Sequence, residues 1–276
     1  MSNYADRPLL EVNHLVKYFY GGRQKVIKAV DGVSFQLRPG ESLGLIGESG
    51  CGKSTLARLL LGLEQADKGE ILLEGKSNQE LLRQDRLAYY RRVQTVFQNP
   101  YDVFDRRLTI GDILLRPLQL HGLVKSKVEG LARAMEALEQ AGLLPAEDFI
   151  RRYPYELSGG QLQRIAILRA MLLSPRLLIA DEPVTNLDVS VRAEVINMLL
   201  DLKAASHMAL IFISHDLATT AYISDRLMVM QAGHIVEAGS TEEILAGPQD
   251  PYTRLLLDNC QGLKRSQRQR SMTGKV

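Results

Sequence analysis

The chain has 276 residues, 45% hydrophobic and 24% charged, with a formal net charge of +2, which is the balance of a water-soluble globular protein. No run approaches the ~18 consecutive apolar residues of a membrane-spanning helix, and Met1–Asp6 lacks a basic segment leading into an apolar core, so no signal peptide is expected. Cys51 and Cys260 form neither a disulfide framework nor a Cys/His metal-ligand spacing.

In chain order, Leu10–Val16 alternates as a strand, Tyr18, Phe19 and Tyr20 follow, and Gly21-Gly22 is a turn. Val26–Val30 and Val33–Leu37 read as further strand, so the opening third is antiparallel. Ser42–Ile46 is a short buried strand, Leu56–Leu61 suits a helix, and Gly69–Gly75 is another short strand. Residues 76–92 read as helix around Leu81, Leu82, Leu87 and Tyr90, and Val93–Phe97 as strand. Residues 109–156 then carry helical patterns, clearest in Val128, Leu131, Met135 and Leu138, with Gly142 as a stop signal. Leu177–Asp181 and Ala209–Ser214 read as buried strands around an amphipathic helix over 190–205, whose apolar face holds Val191, Val195, Met198, Leu199 and Leu202. Asp225–Met230 and His234–Gly239 form a hairpin about Ala232-Gly233. Strands alternating with helices imply a parallel sheet covered on both faces.

Residues 261–276 hold Lys264, Arg265, Arg268, Arg270 and Lys275 and no acid, which leaves a net −3 for the rest. The folded body therefore gives no electrostatic case for nucleic acid. The basic end, 258–276, reads as a flexible tail with polar spacers, for which anionic lipid headgroups are a chemical match.

The chemistry starts at Gly47-Glu48-Ser49-Gly50-Cys51-Gly52-Lys53-Ser54-Thr55, which fits the P-loop pattern G-x-x-x-x-G-K-[ST] between a strand and a helix. Its glycines let backbone N–H groups turn onto a phosphate at a helix N-terminus. Lys53 would reach the β and γ phosphates, and the Ser54 hydroxyl would ligate Mg²⁺. Asp181, ending a buried strand, suits Mg²⁺ directly or through water. Glu182 would take a proton from an attacking water or orient it. In Leu157-Ser158-Gly159-Gly160-Gln161, Ser158 caps a helix, and the glycines leave N–H groups open to an anion. His215, at the end of Ile211–Ser214, can donate to a γ-phosphate, and Gln98 can bind Mg²⁺ or a water.

The order Gly47–Thr55, Gln98, Leu157–Gln161, Leu177–Glu182, Asp188, His215 resembles the ATP-binding subunits of ABC transporters over residues 9–257, and Leu-Ser-Gly-Gly-Gln is highly specific to that family. The resemblance implies a P-loop NTPase core of class α/β. Residues 9–98 and 157–257 would make the nucleotide-binding core, with an N-terminal antiparallel β subdomain, and 99–156 an inserted all-helical subdomain. It makes 47–55 the Walker A loop and Leu177–Asp181 the Walker B strand. Glu182 becomes the catalytic carboxylate, Gln98 the Q-loop, Asp188 the D-loop and His215 the switch histidine, and Phe19 would stack on adenine. It implies that Ser158, Gly159, Gly160 and Gln161 act in trans, two subunits sandwiching two Mg²⁺-bound ATP molecules. Closure would drive membrane permease subunits at the cytoplasmic face of the inner membrane, fed by an extracytoplasmic solute-binding protein.

Within that family, Val96–Tyr101, Asp181–Val184, Leu187–Ala193 and Asp250–Leu256 resemble the oligopeptide, dipeptide and nickel importer branch. Two departures stand out: Asp102-Val103-Phe104-Asp105-Arg106 replaces the branch's Ser-Leu-Asn-Pro-Arg, and Asn186 replaces a small residue. Some relatives carry a C-terminal cysteine cluster; Cys260 stands alone, so no iron–sulfur site is expected. Two rivals are a soluble ABC-type ATPase acting on nucleic acid or the ribosome and a non-catalytic nucleotide-gated scaffold. The first typically has two cores or a long coiled-coil insertion, against one core and a short insertion here. The second is disfavoured by Glu182 and His215.

Overall fold

A computed structural model describes residues 7–21 and 25–258. Gly22 of the expected turn, Cys260 and all but Asp258 of the expected basic tail lie outside the described residues.

Two sheets carry the architecture. The first is antiparallel in the order β2-β1-β4-β5, from β1 (Leu10–Gly21), β2 (Lys25–Leu37), β4 (Lys68–Leu73) and β5 (Lys76–Ser77). Strand β1 turns Leu10, Val12 and Leu15 into the core. It continues past Val16 through Tyr20, with register shifts that begin where His14 takes a positive φ of 48°. The two expected pieces are therefore one bulged strand.

The second sheet runs β10-β9-β3-β8-β7-β6. Strands β3 (Ser42–Ile46), β6 (Val93–Val96), β7 (Leu177–Asp181), β8 (Ala209–Ser214) and β9 (Arg226–Gln231) are parallel. Strand β10 (His234–Ser240) pairs antiparallel with β9. Strands β3 and β8 are buried along their whole length, which is why they read as continuous apolar runs rather than alternating ones. Register places Ile46 opposite Ser214, and Asp181 opposite Ile213. The C-terminal ends of β3, β7 and β8 therefore share one edge, where ligands of open α/β sheets sit.

Helix α1 (Lys53–Leu60) follows the P-loop. The polar stretch 76–92 is not one helix. It opens with β5 and splits into α2 (Asn78–Gln84) and α3 (Arg86–Arg92), because extended Asp85 caps α3 by accepting from Ala88 N at 2.9 Å.

Between Gln98 and Leu157 lie α4 (Ile110–Leu120), α5 (Lys127–Gln140) and α6 (Ala146–Phe149). Thr109 and Ser126 accept from Asp112 N and Glu129 N to start the first two. Of the expected face of α5, Leu138 is buried and Leu131 and Met135 are half-buried, but Val128 is 79% exposed, and the other buried positions are Gly130 and Ala134. A Cβ on Gly130 would lie 2.2 Å from Leu115 Cδ1, so α4 packs where α5 has almost no side chain. Hydropathy does not register a face built from glycine and alanine. Phe104 is buried in the same core cluster as Ile110, Leu157 and Leu162, and Arg169 stands 5.9 Å from its ring centroid. At that position the departure from the branch is a packing feature.

The remaining helices among the described residues are α7 (Gly159–Met171), α8 (Val189–Ser206), α9 (Leu217–Ile223), α10 (Thr241–Ala246) and α11, over residues 251–258. Among the described residues no helix is long and apolar enough to cross a membrane.

Candidate nucleotide site

The P-loop leaves β3 at Gly47 and enters α1 at Lys53. A Cβ on Gly47 would lie 2.2 Å from the Met230 carbonyl oxygen, and one on Gly52, whose φ is +117°, 1.9 Å from that of Ala29. Only glycine lets the loop press this closely on β9 and β2. Glu48, Ser49 and Gly50 are exposed, at the mouth of α1 where aligned N–H groups favour an anion. Lys53 is buried and donates from Nζ to the carbonyls of Gly47 (2.7 Å) and Glu48 (2.8 Å). Its ammonium is thus folded under the loop, braced by the backbone it would serve. Cys51 is buried, with Sγ 3.7 Å from Nζ. Thr55, the second residue after Lys53, is half-buried in the first turn of α1.

Ser54 Oγ donates to Asp181 Oδ1 at 3.5 Å. Burial raises the Asp181 carboxyl above its ordinary value and Glu182 adds to this, while the Ser54 hydroxyl, Lys53 and Arg58 pull the other way. A hydroxyl facing a desolvated carboxylate is a pair of hard oxygen donors, so these residues fit Mg²⁺.

Between the ordinary carboxylate value and the raised one, the folded state holds the extra proton, so stability falls as pH rises through that window and stays lower above it. Asp181→Asn is expected to raise the melting temperature of the nucleotide-free protein at pH 7.5. The gain should shrink as pH falls toward the ordinary carboxylate value. Thermal denaturation across pH checks this, and a variant melting below wild type at pH 7.5 contradicts it.

Glu182 leaves β7 with a left-handed backbone, φ +49°, and its N–H donates to Ile213 O at 2.9 Å. For a non-glycine residue this conformation costs about 1–3 kcal/mol. The turn points its carboxylate into a small polar cluster. Oε2 accepts from Gln98 Nε2 at 3.2 Å and from Thr185 Oγ1 at 3.0 Å, and Oε1 stands 3.3 Å from His215 Nδ1. The half-exposed His215 and exposed Gln98 close the cluster toward solvent. The site thus pairs two adjacent carboxylates in different settings, Asp181 beside Ser54 and Glu182 among side-chain donors. Sequence reasoning missed Thr185. Its only signal was a hydroxyl three residues after a carboxylate, where the turn Thr185 N to Glu182 O (3.4 Å) brings them together.

The signature stretch is built differently. Ser158 Oγ accepts from Gln161 N at 3.3 Å, and Gln161 Oε1 accepts from Ser158 N at 3.0 Å, which makes a capping box. A Cβ on Gly160 would meet Val191 Cγ1 at 2.3 Å, whereas on Gly159 the nearest atom would be Leu187 Cδ2 at 3.9 Å. The second glycine is accounted for by packing of α8, and the first is left open. Among the described residues no hydrogen bond joins Ser158–Gln161 to this chain's own P-loop, Glu182 or His215. The stretch is instead tied to the segment around Gln98: Gln163 Nε2 donates to Phe97 O (3.3 Å), and Tyr101 Oη to Leu157 O (3.3 Å).

Tyr18 donates to Asp31 Oδ1 at 2.6 Å, with Lys28 5.3 Å over its ring. The Asp31 carboxyl is held low by the Tyr18 hydroxyl and then by Lys28. Tyr18 is thereby committed, and Phe19 is the neighbouring ring left partly exposed, with Lys17 5.3 Å from its centroid. Asp188 is exposed at the N-cap of α8 and makes no side-chain cap bond. Asn186 is likewise exposed, and nothing in the structure explains that departure.

A P-loop running into a helix, with two carboxylates at the end of a parallel strand one removed from the P-loop strand in the same sheet, defines a P-loop NTPase. Residues 30–185 match the ABC transporter family. The chain is 44% identical over 250 residues to the oligopeptide transport ATP-binding protein OppF of Bacillus subtilis, covering 90% of this chain and 81% of that one. It is 44% identical over 255 residues to the dipeptide transport ATP-binding protein DppF of Haemophilus influenzae, covering 91% and 77%. The fold superposes on the ATP-binding cassette MJ0796, solved as a dimer in a post-hydrolysis state bound to ADP and Pi, with a TM-score of 0.73, 25% identity and coverage of 84% and 98%. The chain belongs to the ABC transporter family, as an ATP-hydrolysing subunit.

Proposed function

We propose that this chain hydrolyses ATP to energise an importer of peptides, with Glu182 acting on the attacking water. The observation that carries the reading is the cluster in which Gln98, Thr185 and His215 surround the Glu182 carboxylate, beside Ser54 and Asp181. A base needs a fixed direction and a proton path, and three side chains oriented on one carboxylate supply the first. In this account Lys53 releases the Gly47 and Glu48 carbonyls to meet the β and γ phosphates, while P-loop N–H groups hold the phosphate oxygens. Ser54, Asp181 and Gln98 would hold Mg²⁺, which when bound neutralises charge on the phosphate oxygens. His215 donates to the γ-phosphate, and Phe19 stacks on the adenine.

Ser158–Gln161 makes no hydrogen bond to its own P-loop among the described residues, which supports its use on the nucleotide of a second ATPase subunit, with Asp188 at the same junction. That partner is a second copy or a related sister chain. Gln163 and Tyr101 would carry closure to the Gln98 segment and the helices α4–α6, which act as a subdomain over 99–156 between the core pieces 9–98 and 157–257. From there the motion passes to permease subunits. The protein would sit peripherally on the cytoplasmic face of the inner membrane, served by a solute-binding protein outside.

The names of its relatives favour peptides as solute over nickel. Uptake of a labelled oligopeptide by cells lacking this chain tests the point. Restoration by the wild-type chain is expected, and restored nickel uptake with unchanged peptide uptake contradicts it.

A further inference from the structure

The stretch Asp250–Leu256 plays no part in the site described so far. It begins as a clamp: Glu237 on β10 accepts from Gln249 N (2.7 Å) and Asp250 N (3.1 Å). Asp250 Oδ1 then accepts from Tyr252 N (2.8 Å) and Thr253 N (3.3 Å), capping α11. From this fixed start Tyr252 is buried in a cluster with Ile46 and Val229, on β3 and its neighbour β9. Its phenolic oxygen accepts the backbone N–H of Glu48, inside the P-loop, at 2.9 Å across 204 residues of chain. The carbonyl of the same Glu48 accepts from Lys53 Nζ at 2.8 Å.

We propose that Tyr252 is a positioning residue for nucleotide binding, holding the first half of the P-loop so that Lys53 and the remaining loop N–H groups are pre-aligned for phosphate. Glu48 is pinned on both sides, its N–H by Tyr252 and its carbonyl by Lys53. The Glu48 N–H is thereby withdrawn from the phosphate-binding set. If Lys53 leaves for the nucleotide, Tyr252 still holds the Glu48 N–H, beside the turn bond from Cys51 N to Glu48 O at 3.3 Å. Alignment in advance lowers the ordering cost of binding, so the effect falls on affinity rather than on the hydrolytic step.

This rests on the assignment of Lys53 and the P-loop to ATP, and the test separates the two. Tyr252→Phe removes the acceptor and keeps the ring. In the full chain, the Kd for Mg·ATP is expected to rise about three- to tenfold, the amount one hydrogen bond is worth. In the complex with its membrane partners, KM for ATP should rise in parallel while kcat at saturating ATP stays within about twofold. Leu257→Ala, in the same helix and cluster, should lower the melting temperature without moving Kd or KM. Unchanged Kd and KM in Tyr252→Phe would overturn the proposal, as would an equal rise in Leu257→Ala. Wild-type affinity in Lys53→Ala would instead overturn the P-loop assignment beneath it.

Discussion

Glu182→Gln is expected to bind ATP normally and to lose steady-state hydrolysis by at least about a hundredfold, the low end for removing a general base. The substitution keeps the length and planarity of the side chain, so the backbone at φ +49° and the bond from Glu182 N to Ile213 O are undisturbed. What changes is the set of acceptors. The carboxylate faces Gln98 Nε2, Thr185 Oγ1 and His215 Nδ1, and an amide offers one acceptor oxygen where two stood. It also cannot take a proton from water. Asp181, Ser54 and Lys53 remain as they are, so ATP still binds and is expected to hold the closed two-subunit state. Phosphate release at saturating ATP, with membrane partners present, is the check. Turnover near wild type would sink the role given to Glu182.

Lys53→Ala is expected to weaken ATP binding by roughly tenfold to several hundredfold, since charge-assisted hydrogen bonds contribute about 1.5–3 kcal/mol each. The loss has two physical parts. One is the ammonium removed from the phosphates. The other is the brace removed from the Gly47 and Glu48 carbonyls, which loosens the loop before any ligand arrives. Lys53→Met, which keeps the apolar stem in its buried slot, isolates the first part. Equilibrium binding of a fluorescent ATP analogue measures both variants. Affinity within about twofold of wild type in both would contradict the placement of Lys53.

Much of this was legible because the residues are local. The P-loop is contiguous, Asp181 and Glu182 are adjacent, and the strands β3, β7 and β8 are continuous apolar runs that can only be buried. What escaped depended on where separate elements meet. Thr185 is only three residues from Glu182, yet the left-handed step at Glu182 is what brings its hydroxyl to the carboxylate. The packed face of α5 includes Gly130 and Ala134 beside Leu138, because α4 comes in where side chains are smallest; periodicity in large apolar residues found Leu138 but pointed to exposed Val128 and passed over the two small residues. The two glycines after Ser158 looked equivalent in sequence. Only the approach of Val191 to Gly160 separates them. Tyr252 gave no sign of reaching Glu48, because a contact over that separation is set by the tertiary fold alone.

The proposed role couples ATP hydrolysis to a membrane permease. It is tested most directly by isolating the tagged full chain from membranes in detergent, identifying its co-purifying subunits, and measuring ATP hydrolysis with and without peptide-loaded solute-binding protein. Integral membrane subunits at a fixed ratio to the chain are expected, with hydrolysis that rises when the loaded binding protein is added. A chain that purifies with ribosomes or nucleic acid instead, hydrolysing ATP at a rate indifferent to peptide, would contradict the proposed role.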